Sequence, residues 1–104
     1  MDNYKVLVSA KAVDDMENIY TYIAETLMAP ETAAKQYDKI AAQIMSLEMM
    51  PMRVKLMDSE PEKAKGLRLL PVGNYNIIFA VAERTVTIVR VLYSRVDIGN
   101  KLTE

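Results

Sequence analysis

The chain has no histidine and no cysteine among its 104 residues. Without histidine it lacks the side chain that most often moves protons near neutral pH. Without cysteine it has no disulfide framework, no thiolate nucleophile and no cysteine-based zinc site. The missing thiols suit a reducing compartment. Glycine is scarce, and Gly66, Gly73 and Gly99 lie too far apart to form a phosphate-cradling loop. Ser9, Ser46, Ser59 and Ser94 have no histidine to activate them. No run approaches the ~20 apolar residues of a membrane span. The N-terminus, MDNYKVLVSA, has no long apolar core and does not read as a secretory leader. These absences lead us to expect a cytoplasmic protein with no membrane contact, no metal and no cofactor.

The charge is nearly balanced overall, at −1, and uneven along the chain. Residues 1–50 hold four basic and eight acidic side chains, whereas residues 51–104 hold nine and six. A −4 half followed by a +3 half is a usable dipole, far short of the basic excess of a dedicated nucleic-acid binder. A chain of this length is expected to form one domain across 1–104. Such a domain buries roughly two-thirds of its unfolded surface.

Asn3 to Val8 alternates Tyr4, Val6 and Val8 with Lys5 and Leu7, which predicts a short strand. Ser9 then offers an N-cap oxygen. Asp14, Asp15 and Glu17 fit the start of a helix better than a metal cluster. Val13, Met16, Tyr20, Ile23 and Leu27 recur at spacings of three and four, predicting the buried stripe of that helix. Pro30 ends it near Met28 and opens a second helix with the stripe Ala33, Tyr37, Ile40, Ile44 and Leu47, closed by Pro51. So short a joint makes the pair an antiparallel hairpin. Met52 to Lys65 reads as a mobile polar loop. From Gly66 to Asp97, apolar β-branched and aromatic runs are broken by Gly-Asn and Glu-Arg, which predicts three strands. The expected fold is α+β in the order β-α-α-β-β-β, a four-stranded, antiparallel-rich sheet packed against an N-terminal helical hairpin.

Cationic side chains at the rim of this sheet are the candidate contacts. Arg90 interrupts the apolar strand Thr85 to Tyr93, so it must be edge-facing, snorkelling or paired; a charge on the open face is the favoured placement. Arg68, Tyr93 and Arg95 converge if the second and fourth strands are neighbours, and two guanidiniums with a phenol suit a phosphate. The alternative for these arginines is a salt bridge to Asp97 or Glu83. Met45, Met49, Met50 and Met52 read first as adaptable packing and second as a plastic partner surface.

GLRLLPVGNYNIIFAV followed by TVTIVRVLYSRVD resembles the C-terminal half of the RelE/ParE superfamily of type II toxin–antitoxin toxins. The strand YKVLVS, the helix AVDDMENIYTYIAE and the paired helix ending SLEMMP extend the resemblance over nearly the whole chain. It implies a small bacterial toxin neutralised by a cognate antitoxin that wraps its C-terminal segment around the hairpin and sheet. It also implies contact with operator DNA only through the antitoxin, with a homodimer or a heterotetramer with the antitoxin both compatible.

Members of the superfamily divide in mechanism. RelE-like toxins cut mRNA on the ribosome, using basic residues and an acid/base side chain on the sheet; ParE-like toxins inhibit DNA gyrase. Arg68 and Arg95 match family arginines, and Lys63 and Lys65 lie where basic residues also occur. Asn76 stands where RelE-like ribonucleases often carry a catalytic arginine, and Tyr93 where many relatives carry histidine. The expectation is therefore a toxin acting as a ParE-like inhibitor. The alternative is a ribosome-dependent endoribonuclease, with Arg68, Tyr93 and Arg95 as catalytic residues and Lys63, Lys65 and Arg90 as target or RNA contacts. A third reading is an attenuated toxin that only pairs with its antitoxin and regulates the operon.

Overall fold

The computed structural model describes residues 3–103; residues 1, 2 and 104 lie outside that description. Strand β1 spans Lys5–Val8, helix α1 Ala10–Thr21 and helix α2 Pro30–Ser46. Strands β2 (Leu67–Val72), β3 (Tyr75–Ala82) and β4 (Thr85–Tyr93) follow, and a short helix α3 (Ile98–Leu102) ends the order. The sheet runs β1-β4-β3-β2, with β1 parallel to β4 and the other pairs antiparallel. This is the expected α+β arrangement. Its two central strands are the most continuously apolar, as burial on both faces requires. Ile77, Ile78, Phe79, Val86 and Ile88 are wholly buried.

The helices begin and end where local chemistry dictates. The Ser9 hydroxyl accepts from the Ala12 amide and caps α1. Pro30 opens α2 at a position whose amide has no helical partner. Between them the chain passes through a π-helical turn, Tyr22–Thr26, and reverses at Met28, which takes φ 54°. Gly73 takes φ 59° in the two-residue turn joining β2 to β3, a conformation that excludes most side chains there. Pro71 is tolerated because β2 is an edge strand.

The hairpin buries Ala12, Met16, Ile40, Ile44 and Leu47 against Val72, Ile77, Phe79, Val86, Ile88 and Val91. The inner stripe of α1 therefore differs from the one its apolar residues suggest. Val13, Tyr20 and Leu27 are exposed, while Ala12 and Ile19 face the sheet. In α2 the expected inner position of Tyr37 is also exposed, and Tyr20 and Tyr37 instead meet edge-on across the hairpin at 6.2 Å. The connection before β2 is more structured than a mobile polar loop. It forms a 3-10 turn at Pro51–Arg53 and an isolated bridge from Leu56 to Arg68. It also buries Met57 and Glu62, and Ser59 donates to the Glu62 carboxylate at 2.7 Å. Met57 joins Leu67, Ile78 and Leu92 in a second cluster on the opposite face of the sheet, covered by Ile98 and Leu102 of α3.

Candidate functional site

Strand β4 runs five residues beyond the point where β1 ends, since Val8 pairs with Ile88. Its outer edge then needs other partners. Helix α1 supplies them: Ser9 Oγ donates to the Val89 carbonyl, and the Asp15 carboxylate accepts from the Val91 amide at 3.0 Å. Opposite β3 the register slips, so that Ile78 faces Arg90 but Phe79 faces Ile88, leaving Val89 as a bulge residue. The bulge shifts the alternation. Ile88 and Val91 both pack under the hairpin, while Val89 joins the opposite face.

Arg90, between them, is only 8% exposed. Its guanidinium makes a two-point contact with Asp15 at 2.7 and 2.8 Å and donates to the Lys101 carbonyl at 2.7 Å. The expected charge on the open face is thus a buried ion pair linking α1, β4 and α3. Arg90 is not placed to touch RNA or a target. The sequence signal for its partner was present, because an arginine within an apolar strand requires a carboxylate. Asp15 fits the start of a helix by its place in the sequence, and only the packing of α1 on β4 makes it the partner of Arg90.

The convergence of Arg68 with Tyr93 fails for a topological reason: β3 lies between β2 and β4. Arg68 is level with Phe79, whereas Tyr93 is level with Tyr75 and Val72. Four residues along a strand and two strand spacings across separate their Cα atoms by roughly 16 Å. The Arg68 guanidinium also donates to the Val54 carbonyl at 2.5 Å, on the connection before β2 rather than toward Tyr93. Tyr93 and Arg95 do stay together, two residues apart and both exposed. Lys63 and Lys65 are exposed on the turn before β2, at the far end of that strand from the Tyr75–Tyr93 level. Within the described residues, the side chains of Lys63, Lys65 and Arg95 make no hydrogen bond or ion pair.

At the Tyr93 end of the sheet, a cleft of about 640 Å³ opens between the hairpin and the β2–β3 turn. Ile19, Ile23 and Leu27 form its apolar wall, with Tyr22 beside them. Tyr75 and Tyr93 contribute from the sheet, their rings 5.7 Å apart at 62°. Burial, and then the neighbouring Tyr93 and Tyr22 phenols, push the Tyr75 hydroxyl above its ordinary pKa, so it stays protonated as a donor. Asn18, Asn74 and Gln36 add carboxamides, and no described lining residue is charged. The Gln36 amide packs against the turn, since a Cβ at Gly73 would lie 3.8 Å from Nε2. That nitrogen is buried and has no hydrogen-bond partner among the described residues. Gln36 occupies the inner stripe of α2 between Ala33 and Ile40, where apolar spacing pointed to Tyr37. A carboxamide in that stripe was the available signal for the cleft. Among the described residues no cluster of acidic side chains is placed to hold a metal ion. No described helix is long and apolar enough to cross a membrane.

A sheet of this order under a two-helix hairpin is a small α+β fold that solved structures share. A chain of the chromosomal ParDE toxin–antitoxin system of Pseudomonas aeruginosa superposes with a TM-score of 0.74 at 24% identity, covering 89% of this chain and 98% of its own. A chain of the RelBE2 toxin–antitoxin complex of Mycobacterium tuberculosis gives 0.60 at 21% identity, covering 88% and 98%. No curated protein matches the sequence. The profile of the ParE toxin of type II toxin–antitoxin systems matches residues 6–98. The chain belongs to that family and is a toxin of the type II class.

Proposed function

We propose that this toxin arrests growth by binding a protein target such as DNA gyrase, without cleaving RNA, and that a cognate antitoxin neutralises it. The observation that carries this reading is the dispersal of its cations. Arg90 is buried against Asp15, and Arg68 is turned to Val54 and set roughly 16 Å from Tyr93. Cleavage by the RNA's own 2′-hydroxyl needs a base, an acid and charge stabilisation on one phosphate. Only Tyr93 and Arg95 remain adjacent to supply them. The antitoxin assignment draws on the family and on the two neighbours, both from toxin–antitoxin systems. Operator DNA is reached through the antitoxin.

The adjacency of Tyr93 and Arg95 favours the second reading, a ribosome-dependent endoribonuclease. One experiment separates the two. The purified chain is added to gyrase supercoiling reactions and, in parallel, to translating ribosomes whose mRNA ends are mapped. Supercoiling falls and mRNA stays intact on the first reading. Codon-phased cuts that vanish with Arg95→Ala or Tyr93→Phe would replace it with the second. Induced expression that leaves growth untouched would remove both and leave an attenuated toxin.

A further inference from the structure

We infer that the methionines at the C-terminal end of α2 form a reversible oxidation site. Hydrogen peroxide converts Met45, Met49, Met50 and Met52 to sulfoxides, turning an apolar surface polar while the fold stays intact.

Three observations carry it. Adaptable packing is the first reading of these four side chains in sequence, yet the structure places them outside the core. They are 43–71% exposed, whereas Met16 and Met57 are 6% and 9% exposed within the two core clusters. With no cysteine in the chain, thioethers are its only sulfur nucleophiles. Next, other groups hold the backbone that displays them. Met50 takes φ 49°, and Arg53 Nη1 donates to the Met49 and Met50 carbonyls at 2.6 and 3.1 Å. Arg53 Nη2 donates to Ser46 Oγ, Met49 bridges to Asn3, and the Tyr4 amide donates to the Glu48 carbonyl. No sulfur takes part in these bonds, so a sulfoxide forms without breaking one. Finally, the four share one end of α2, away from the cleft. Met45 follows Gln36 by nine residues, roughly 14 Å along the helix.

The chemistry explains why exposure selects the sulfur. A sulfur lone pair attacks one oxygen of the peroxide, and the S–O bond forms as the O–O bond breaks. The other oxygen departs as hydroxide and takes up the proton to leave as water. Sulfur gives up the two electrons that the peroxide gains. Solvent donates hydrogen bonds to the departing hydroxide at an open sulfur, and a dry core offers no such donor. The product is a polar side chain, which costs little where it faces water and much inside a packed cluster. A sulfoxide reductase reverses the step, releasing the oxygen as water while two thiols become a disulfide.

The test treats the full chain with excess hydrogen peroxide and maps oxygen uptake at each methionine by mass spectrometry of timed digests. Retention on a hydrophobic-interaction column and thermal unfolding are measured on the same samples. Met45, Met49, Met50 and Met52 are expected to react at least about tenfold faster than Met16 and Met57. Met28, 83% exposed and alone at the hairpin joint, is the reference for an open thioether. Retention should fall as the four react, with Tm held within about 4 °C, and reductase with a thiol should restore it. Replacing all four by leucine should remove at least about half of the fall, since leucine keeps the volume and does not oxidise. Cluster sulfurs reacting no faster than Met16 and Met57 overturn the inference. Unchanged retention once all four carry oxygen overturns the change of surface. A larger loss of Tm at that stage returns these side chains to the packing and overturns the inference as well.

Discussion

Two polar groupings flank helix α1, and they are built on opposite principles. At the β4 edge, Asp15 and Arg90 satisfy one another, the Val91 amide and the Lys101 carbonyl, with side chains 12% and 10% exposed. At the cleft, Gln36 is left with a donor unpaired while Tyr22 and Tyr93 stand open to solvent. A closed network holds elements in place, whereas an unsatisfied, open one stores binding capacity that folding has not used. The contrast is between a network that ties three elements together and a cleft that folding leaves open. The most conspicuous arginine of the strands belongs to the scaffold.

The comparison breaks most visibly at Asp15. Asp15→Ala leaves a buried guanidinium without its anion and an edge amide without its acceptor. It should destabilise the fold by about 3–5 kcal/mol, read as a fall in the denaturant midpoint at unchanged slope. Removing both charges, with Asp15→Leu and Arg90→Met together, should recover much of that loss. If Asp15→Ala unfolded at the parent midpoint, the network would have to be counted as surface decoration.

How far this division is legible in the sequence depends on the range of the forces involved. Local ones were readable: Ser9 caps, Pro30 and Pro51 bound the second helix, and the Gly73–Asn74 pair turns β2 into β3. The strands from Gly66 onward follow from their β-branched runs, and their motifs carried the family resemblance. Strand adjacency was not readable, because nothing local says that β3 separates β2 from β4, and the convergence of Arg68 with Tyr93 rested on that. The bulge at Val89 was invisible for the same reason. Apolar spacing misled in both helices, since Val13, Tyr20 and Tyr37 share the period of the true inner faces and are larger than the Ala12 and Gln36 that occupy them. Asp15 and Gln36 mark the limit, each given its role by a neighbour distant in the chain.

Gln36→Leu sharpens the contrast from the cleft side. Replacing the amide with an apolar group of similar size removes a buried unpaired donor. The free chain should gain about 1 kcal/mol, a rise in Tm of about 4–8 °C. A drop in Tm instead would show that the Gln36 amide already has a partner in the free protein.

A smaller effect comes from pH. The folded Tyr75 phenol holds its proton above the value of about 10 at which the unfolded chain releases it. The unfolded state therefore binds fewer protons once pH passes about 10, so stability falls as pH rises further and is full below that point. Tyr75→Phe should make that alkaline decline shallower, measured as Tm against pH between 9 and 11.5 for both proteins.

The smallest expected change in stability is at Arg95, and it completes the comparison with Arg90. Both are arginines of the same C-terminal stretch, five residues apart. Arg95 is exposed and its side chain makes no hydrogen bond or ion pair within the described residues. Arg95→Ala should shift stability by less than about 0.5 kcal/mol, whereas Arg90→Ala should approach the Asp15→Ala loss. Growth assays then distinguish what unfolding cannot. Arg90→Ala can weaken toxicity only in step with its stability, so lowering the temperature should restore it. Any loss of toxicity in Arg95→Ala at unchanged Tm, persisting at low temperature, assigns that side chain to the surface that meets the target. Full toxicity in Arg95→Ala would confine target contact to residues other than Arg95.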